Sequence, residues 1–115
     1  MIPLELQVSD RVKGCCLPVA PAIPAERAEA LAAVYRALAD PTRIQMIHIL
    51  KAAAEPVCVC DFTAAIDLGQ PTVSHHLGKL REAGLVTSFK RGIWAFYQLD
   101  PAMSAVSRQA VALIP

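Results

Sequence analysis

Four cysteines lie in two close groups of the sequence, Cys15-Cys16 and Cys58-Val59-Cys60. The Cα atoms of adjacent residues are ~3.8 Å apart, which is less than the roughly 4.4 Å that an ordinary disulfide requires. Cys58 and Cys60 are also poorly spaced for an unstrained disulfide. Both groups are therefore better suited to ion binding through thiolates. The alternative for a single cysteine such as Cys58 is that it packs as a small hydrophobic residue.

Thiolates are soft ligands and select soft ions. Trivalent arsenic takes three sulfur ligands. Cys15, Cys16 and Cys58 are therefore expected to bind As(III) or Sb(III), with Cys60 as the alternative third donor. Four thiolates would instead suit tetrahedral Cd(II) or Pb(II). Because Cys60 begins a predicted helix, a lowered thiol pKa is expected there.

A second set of residues points to nucleic-acid binding. Val73, Leu77 and Leu80 form the buried stripe of a short helix, which Gly69 begins as N-cap and Gly84 ends. A shorter helical pattern at residues 61–67 precedes it, and two short helices joined by a glycine-containing turn are typical of a helix-turn-helix motif. The exposed face of the second helix carries the residues predicted to contact DNA: Gln70, Thr72, Ser74, His75 and Lys79.

The neighbouring elements complete a winged helix-turn-helix. Strands are expected at residues 57–59, 85–89 and 93–99, and the last two are joined by a turn at Gly92. Lys90 and Arg91, near the tip of this wing, are predicted to reach phosphates or the minor groove. A helix is expected at residues 25–38, and its buried stripe is Leu31, Val34, Tyr35 and Leu38. A second helix follows an Asp40-Pro41 N-terminus. A last helix follows Asp100-Pro101, and its apolar side is Met103, Val106, Ala110 and Leu113. The fold class is therefore mainly α with a small β-hairpin, and the apolar faces of the first and last helices predict a homodimer.

Three further polar residues have structural interpretations beside functional ones. Arg43 is either a phosphate contact or a structural cation. His76 is expected at the edge of the core, bonded to the backbone. His48 is expected either on a helix surface or at the edge of the core.

Composition limits the remaining possibilities. The 115 residues suit one domain, 24–115, preceded by a flexible, proline-broken arm at residues 1–23 that carries the Cys15-Cys16 pair. The net charge of +1 gives no general attraction to DNA, so affinity must come from a local basic surface that dimerisation doubles. No apolar run or leader suggests a membrane span or export, and a cytoplasmic protein with reduced thiols is expected.

Four segments in this order resemble the ArsR/SmtB repressors: ALADPTR at residues 37–43, VCVCD at 57–61, QPTVSHHL at 70–77 and LREAGLV at 80–86. The resemblance implies a homodimer that binds double-stranded operator DNA when empty and leaves it when a toxic metal or metalloid binds. Well-known arsenic sensors of this family have a third cysteine where this chain has Thr63, and other members use cysteines of the N-terminal arm. The family's zinc site on the last helix is absent, because residues 101–115 contain no histidine, aspartate or glutamate.

Two other classes of function are open to such a sequence. A thiol redox sensor would release DNA when peroxide joins an arm cysteine to Cys58 or Cys60. An enzyme with Cys60 as nucleophile and His75 or His76 as base would need a supporting Asp or Asn motif, which the sequence lacks. The chain is therefore predicted not to be an enzyme.

Overall fold

The structure is a computed structural model that describes Gln7, Asp10, Cys16 and residues 18–115. Five helices and three strands follow in the order α1 (Ala25–Leu38), α2 (Pro41–Ala52), β1 (Val57–Cys58), α3 (Val59–Ile66), α4 (Gln70–Glu82), β2 (Val86–Arg91), β3 (Trp94–Leu99) and α5 (Ala105–Ala112). No helix in these described ranges has the length and apolar character needed to cross a membrane. The expected winged helix-turn-helix is confirmed, with α3 and α4 as its two helices and β2–β3 as its wing.

A small antiparallel sheet connects the wing to the start of the helix-turn-helix. Its strand order is β1-β3-β2, so β1 adds a third strand to the predicted hairpin. Cys58 pairs with Phe96, and Arg91 pairs with Trp94 at the far end of the hairpin. Val59, which the sequence placed in the strand, is instead the first residue of α3.

The core lies between α2, α3, α4 and the base of the sheet. The predicted stripe of α4 is confirmed, since Val73, Leu77 and Leu80 are all fully buried. They pack in one cluster with Phe62 of α3 and Ile47 of α2, which are fully buried as well. This shared cluster holds α3 and α4 in a fixed mutual arrangement.

Local signals set both ends of α4. Gly69 is the N-cap in an extended conformation, as predicted. At the other end Gly84 has a positive φ of 77°, and its N–H donates to the Arg81 carbonyl at 3.0 Å while that of Leu85 donates to the Leu80 carbonyl at 3.0 Å. These two bonds form a Schellman motif, whose left-handed residue is usually glycine.

The last helix begins later than the sequence predicted. Asp100 accepts a hydrogen bond from the Ala102 N–H at 2.8 Å, which stabilises a turn in place of a helix start. The N-cap of α5 is Ser104, whose hydroxyl accepts from the Ser107 N–H at 3.1 Å. The later start changes which residues face the core: Ser107, Val111 and Ile114 are buried.

The remaining apolar residues of α5 face outward with part of α1. Val106 and Leu113 were predicted on the apolar side of the last helix, and both are exposed, Leu113 at 87%. Tyr35 was placed in the buried stripe of α1 and is also exposed. All three line an apolar groove between α1 and α5, of about 390 Å³.

Candidate thiol site and nucleic-acid interface

Cys58 and Cys60 meet at the start of α3. Cys58 is the N-cap of this helix and keeps an extended backbone, with φ −76° and ψ 152°, while Cys60 lies one residue inside the helix. Side chains at i and i+2 point apart on a regular helix, so the extended N-cap is what allows the two thiols to share one site. The N–H of Cys58 donates to Asp61 Oδ2 at 3.0 Å, which closes the helix start.

The two thiols line one cavity of about 320 Å³. Cys58 is buried and Cys60 exposed, and both carry free thiols. The other walls come from α3, from the first residue of α4 and from the wing. They are Val59, Thr63, Gln70, Ile93, Trp94 and Ala95.

The electrostatic surroundings of Cys60 differ from the expectation. A hydrogen bond with the Cys58 thiol, together with partial desolvation and the negative charge of Asp61, raises the pKa of Cys60 above its ordinary value. The prediction of a lowered pKa was wrong because it counted only the helix N-terminus. Neighbouring acidic groups outweigh that contribution.

One of the two arm cysteines is described in the structure. Cys15 lies outside the described residues. Cys16 is exposed with a free thiol and does not line the cavity. Among residues 18–115 and the three described residues before them, no group of three or more His, Cys, Asp or Glu side chains could hold a metal ion. Of the three predicted sulfur ligands that the structure describes, it brings Cys58 and Cys60 together and leaves Cys16 apart from them.

The predicted DNA contacts form two exposed groups. Four lie on the first turns of α4, where Gln70, Thr72, Ser74 and His75 are all exposed. Further along the same helix, Lys79 is exposed, and its Nζ lies 3.8 Å from Oε2 of Glu82. A surface ion pair of this kind contributes little to stability.

The second group lies on the wing. Lys90 and Arg91 are exposed at the end of β2, and Gly92 has the predicted positive φ, 62°. Arg81 of α4 donates to the Ser88 hydroxyl at 3.1 Å. This contact connects α4, which is the recognition helix of the motif, to the wing.

Arg43 is a structural cation. Its guanidinium donates to the carbonyls of Ala37 at 2.6 Å and Arg36 at 3.3 Å, and its side chain is only 16% exposed. It also lies 3.2 Å from Nδ1 of His76. Because arginine can only donate, Nδ1 of His76 is the acceptor in this contact.

These contacts decide between the interpretations of the polar residues. His76 lies at the edge of the core as predicted, but its partner is the Arg43 side chain and not the backbone. His48 is on the surface of α2, as expected, and its Nδ1 lies 2.7 Å from the main-chain oxygen of Pro115. Arg43 therefore connects the end of α1 to the recognition helix, and the phosphate contact is not favoured.

Sequence reasoning did not identify the wing residues that wall the thiol cavity. Ile93 and Trp94 are close to Cys58 only because β1 pairs with β3, across a sequence separation that no local pattern reports. The short β-branched segment at residues 57–59 was the one available signal, since such a strand needs a partner.

Comparison with known proteins agrees with this fold. A family profile described as bacterial regulatory protein, arsR family, matches residues 40–88. An arsenical resistance operon repressor of Escherichia coli is 42% identical over 72 residues, which are 63% of this chain and 61% of that protein. A cadmium resistance transcriptional regulatory protein CadC homolog of Staphylococcus aureus is 37% identical over 70 residues, 61% of this chain and 57% of that one.

Two further similarities cover more of the matched protein. An uncharacterised HTH-type transcriptional regulator of Methanocaldococcus jannaschii is 39% identical over 74 residues, 64% of this chain and 82% of that protein. A solution structure from Mycobacterium bovis, titled a homodimeric winged helix-turn-helix DNA-binding domain, has 29% identity and a TM-score of 0.65, with 78% of this chain and 79% of that chain covered.

The chain spans less than two thirds of the two metal-resistance regulators. The matched segment contains the Asp40-Pro41 start of α2, the whole helix-turn-helix and the first residues of the wing. All of these relatives are named for regulation of transcription, in agreement with the prediction of a transcriptional regulator. A putative arsenical resistance operon repressor of Halobacterium salinarum is 35% identical over 91 residues, which are 79% of this chain and 76% of that protein. The chain therefore belongs to the arsR family of bacterial regulatory proteins.

Proposed function

We propose that this protein is a metalloid-responsive transcriptional repressor of the cytoplasm, which binds operator DNA as a homodimer when empty and releases it when arsenite or antimonite binds its cysteine thiolates. The observation that carries the proposal is the shared cavity of Cys58 and Cys60, whose wall includes the first residue of the recognition helix. The arsenical resistance repressor of E. coli, at 42% identity, supports the choice of ion.

The donors in the cavity fit a thiophilic ion. Among the residues that the structure describes, two thiols and no histidine line it, and donor sets of thiolates select As(III), Sb(III), Cd(II) or Pb(II) over harder ions. A third thiolate would come from Cys15 or Cys16 of the arm, in the same subunit or in its partner. An extended chain of eight residues spans up to ~26 Å, so Cys16 has considerable reach from the start of α1.

Ion binding at this point would reach the DNA interface through α3. The cavity lies at the N-terminal end of α3, and α3 packs on α4 through the Phe62 cluster. An arm cysteine drawn to Cys58 would displace the start of α3 and with it the recognition helix. A coupling free energy of about 1–3 kcal/mol would weaken operator binding roughly 5- to 150-fold, and DNA would weaken ion binding by the same factor.

DNA binding is proposed to use both exposed groups of polar residues. Thr72, Ser74 and His75 of α4 would read base edges or phosphates in the major groove, and Gln70 at the helix start suits adenine. Lys79, Lys90 and Arg91 would contact the backbone. Contacts with base edges determine sequence specificity, whereas contacts with phosphates fix the position of the protein on the DNA.

The homodimer is proposed to form through α1 and α5. Their outward apolar residues line one groove, and an exposed apolar surface of this kind is typical of a protein–protein contact. The M. bovis winged helix-turn-helix domain is titled as homodimeric. A two-fold dimer would present two recognition helices to half-sites one DNA turn apart.

Cd(II) or Pb(II) is the second candidate inducer. The S. aureus relative is named for cadmium resistance, at 37% identity. All four cysteines would then supply the tetrahedral set that suits a divalent ion, whereas As(III) needs three.

Titration of the reduced protein on labelled operator DNA tests the proposal. Arsenite, antimonite, Cd(II), Pb(II), Zn(II) and peroxide are added in turn, and bound DNA is measured by fluorescence anisotropy. We expect release by arsenite and antimonite. Cys58→Ser should bind operator within about twofold of wild type but need at least roughly tenfold more arsenite for release, because one thiolate is lost.

Thr63→Ser is the matched control, since it changes the same cavity by one methyl group and keeps the hydroxyl that donates to the Cys60 carbonyl. This variant should release DNA at the wild-type arsenite concentration. Release of Cys58→Ser at that same concentration would place the sensing site elsewhere, and release by peroxide alone would favour the redox sensor.

A further inference from the structure

The wall of the thiol cavity opposite the cysteines belongs to the wing. Ile93 is in the hairpin turn and Trp94 is the first residue of β3. Both are apolar and exposed, Ile93 at 87% and Trp94 at 51%. Two large apolar side chains exposed at a hairpin tip cost solvation free energy, and their position beside two thiols suggests a role at that site.

The sheet provides a direct connection between the cysteines and the DNA-contacting cations. Cys58 pairs with Phe96 across β1 and β3. Two residues along β3, Trp94 pairs with Arg91 of β2. Paired strands move together because their hydrogen bonds fix the register, so a shift at Cys58 or against Trp94 is passed to the end of β2 that carries Lys90 and Arg91.

The geometry points to Trp94, assisted by Ile93, as the positioning residue through which occupation of the thiol cavity moves the wing. This inference rests on the proposed function and adds a second route to it: the wing route runs from the cavity wall through β3 to Arg91, separately from the displacement of α3. An ion held by Cys58 and Cys60 would push against the apolar wall that Trp94 forms. Loss of the wing's phosphate contacts would follow.

The fluorescence of Trp94 provides a readout that is independent of DNA. It is the single tryptophan in the chain, so its emission reports on this wall alone. Arsenite added to the free, reduced wild-type protein should change the emission, and the change should be absent in Cys58→Ser. Unchanged emission while arsenite still releases DNA would overturn the inference.

Trp94→Ala tests the coupling itself. Operator affinity without ion should stay within about twofold of wild type, because Trp94 is not among the DNA-contacting residues. The ratio of operator affinities without and with saturating arsenite, roughly 5–150 in a coupled system, should fall below about three. Trp94→Phe, which restores an aromatic wall, should recover most of the ratio.

Two further variants keep the test decisive. Ile93→Ser removes part of the same wall from an exposed turn and should lower the ratio even if Trp94→Ala does not fold. Phe89→Ala removes an aromatic ring from the same hairpin but not from this cavity, and should leave the ratio unchanged. A wild-type ratio retained in both Trp94→Ala and Ile93→Ser would overturn the inference while leaving the proposed function intact. A wild-type protein that no thiophilic ion releases would overturn both.

Discussion

At the scale of single residues, the chemistry of Cys60 is set by its neighbours. The Cys58 thiol is the largest cause of its raised pKa, followed by desolvation and by the charges of Cys58 and Asp61. A raised thiol pKa keeps Cys60 protonated at neutral pH. Binding of Cd(II) or Pb(II) must therefore release a proton from this site to solvent, and the affinity for these ions should increase as the pH rises. Binding of arsenite, As(OH)3, releases no net proton, because the thiol proton leaves with an arsenic hydroxide as water.

Removal of the Cys58 thiol should make Cys60 more reactive. In Cys58→Ala the largest cause of the raised pKa is gone, so the pKa falls toward its ordinary value of 9.0 and the thiolate fraction between about pH 7 and 9 grows. Iodoacetamide alkylation of Cys60, followed by peptide mass spectrometry across this pH range, measures the change. The alkylation rate of Cys16 in the same sample is the control and should not change. A slower Cys60 in the variant would contradict this account.

At the scale of elements, the recognition helix combines well-formed ends with a weak centre. The Schellman motif at Gly84 ends α4 where the wing must begin. Gly78 lies in the middle of the same helix, where glycine is unfavourable, and a Cβ there would meet no atom within 4 Å. Two glycines of one helix therefore have opposite effects on its stability.

Alanine substitutions at the two glycines should change stability in opposite directions. Gly78→Ala should increase the free energy of unfolding by about 0.5–1 kcal/mol, because it removes the entropic cost of glycine in a helix. Gly84→Ala should decrease it by about 1–2 kcal/mol, because an L-residue is strained at a positive φ. Urea denaturation of both variants at one protein concentration measures the pair, each serving as the other's control. Changes of the same sign would contradict the assignment.

At the scale of the whole molecule, the protomer leaves an apolar surface that its own core does not use. Tyr35 of α1 and Leu113 at the end of α5 are both exposed, and both line the groove between these helices. Lys51 of α2 donates to the Val111 carbonyl at 2.9 Å and to the Ile114 carbonyl, which fixes the C-terminal end of α5 on the protomer. The groove is therefore a stable surface, as a two-fold interface requires.

A charge in this groove should separate the proposed dimer. Leu113→Asp would place a carboxylate in an apolar interface, where an unpaired charge is costly, so sedimentation velocity should show a monomer at concentrations where the wild type is a dimer. Operator affinity should fall at least about tenfold, because one of two half-sites is lost. Ala105→Asp is the control on the same helix, since Ala105 is exposed and outside the groove. A dimeric Leu113→Asp would contradict the proposed interface.

Features decided by a few neighbouring residues were predictable from the sequence alone. Asp40 caps α2 through the N–H groups of Thr42 at 2.8 Å and Arg43 at 3.1 Å, Gly84 ends α4, and Gly92 forms the wing turn. Caps, turns and the apolar period of α4 depend on interactions within about one helical turn, so the order of elements and the exposed polar face of α4 followed from local patterns.

Only the tertiary structure decided which distant residues meet. Arg43 and His76 are 33 residues apart, and no local pattern distinguishes a structural arginine from a phosphate contact. The direction of the Cys60 pKa depends on how the backbone at Cys58 turns into α3. Trp94 reaches the thiol cavity through strand pairing. Burial, charge environment and cavity walls are properties of the packed chain, because they depend on elements that approach each other only when the core forms.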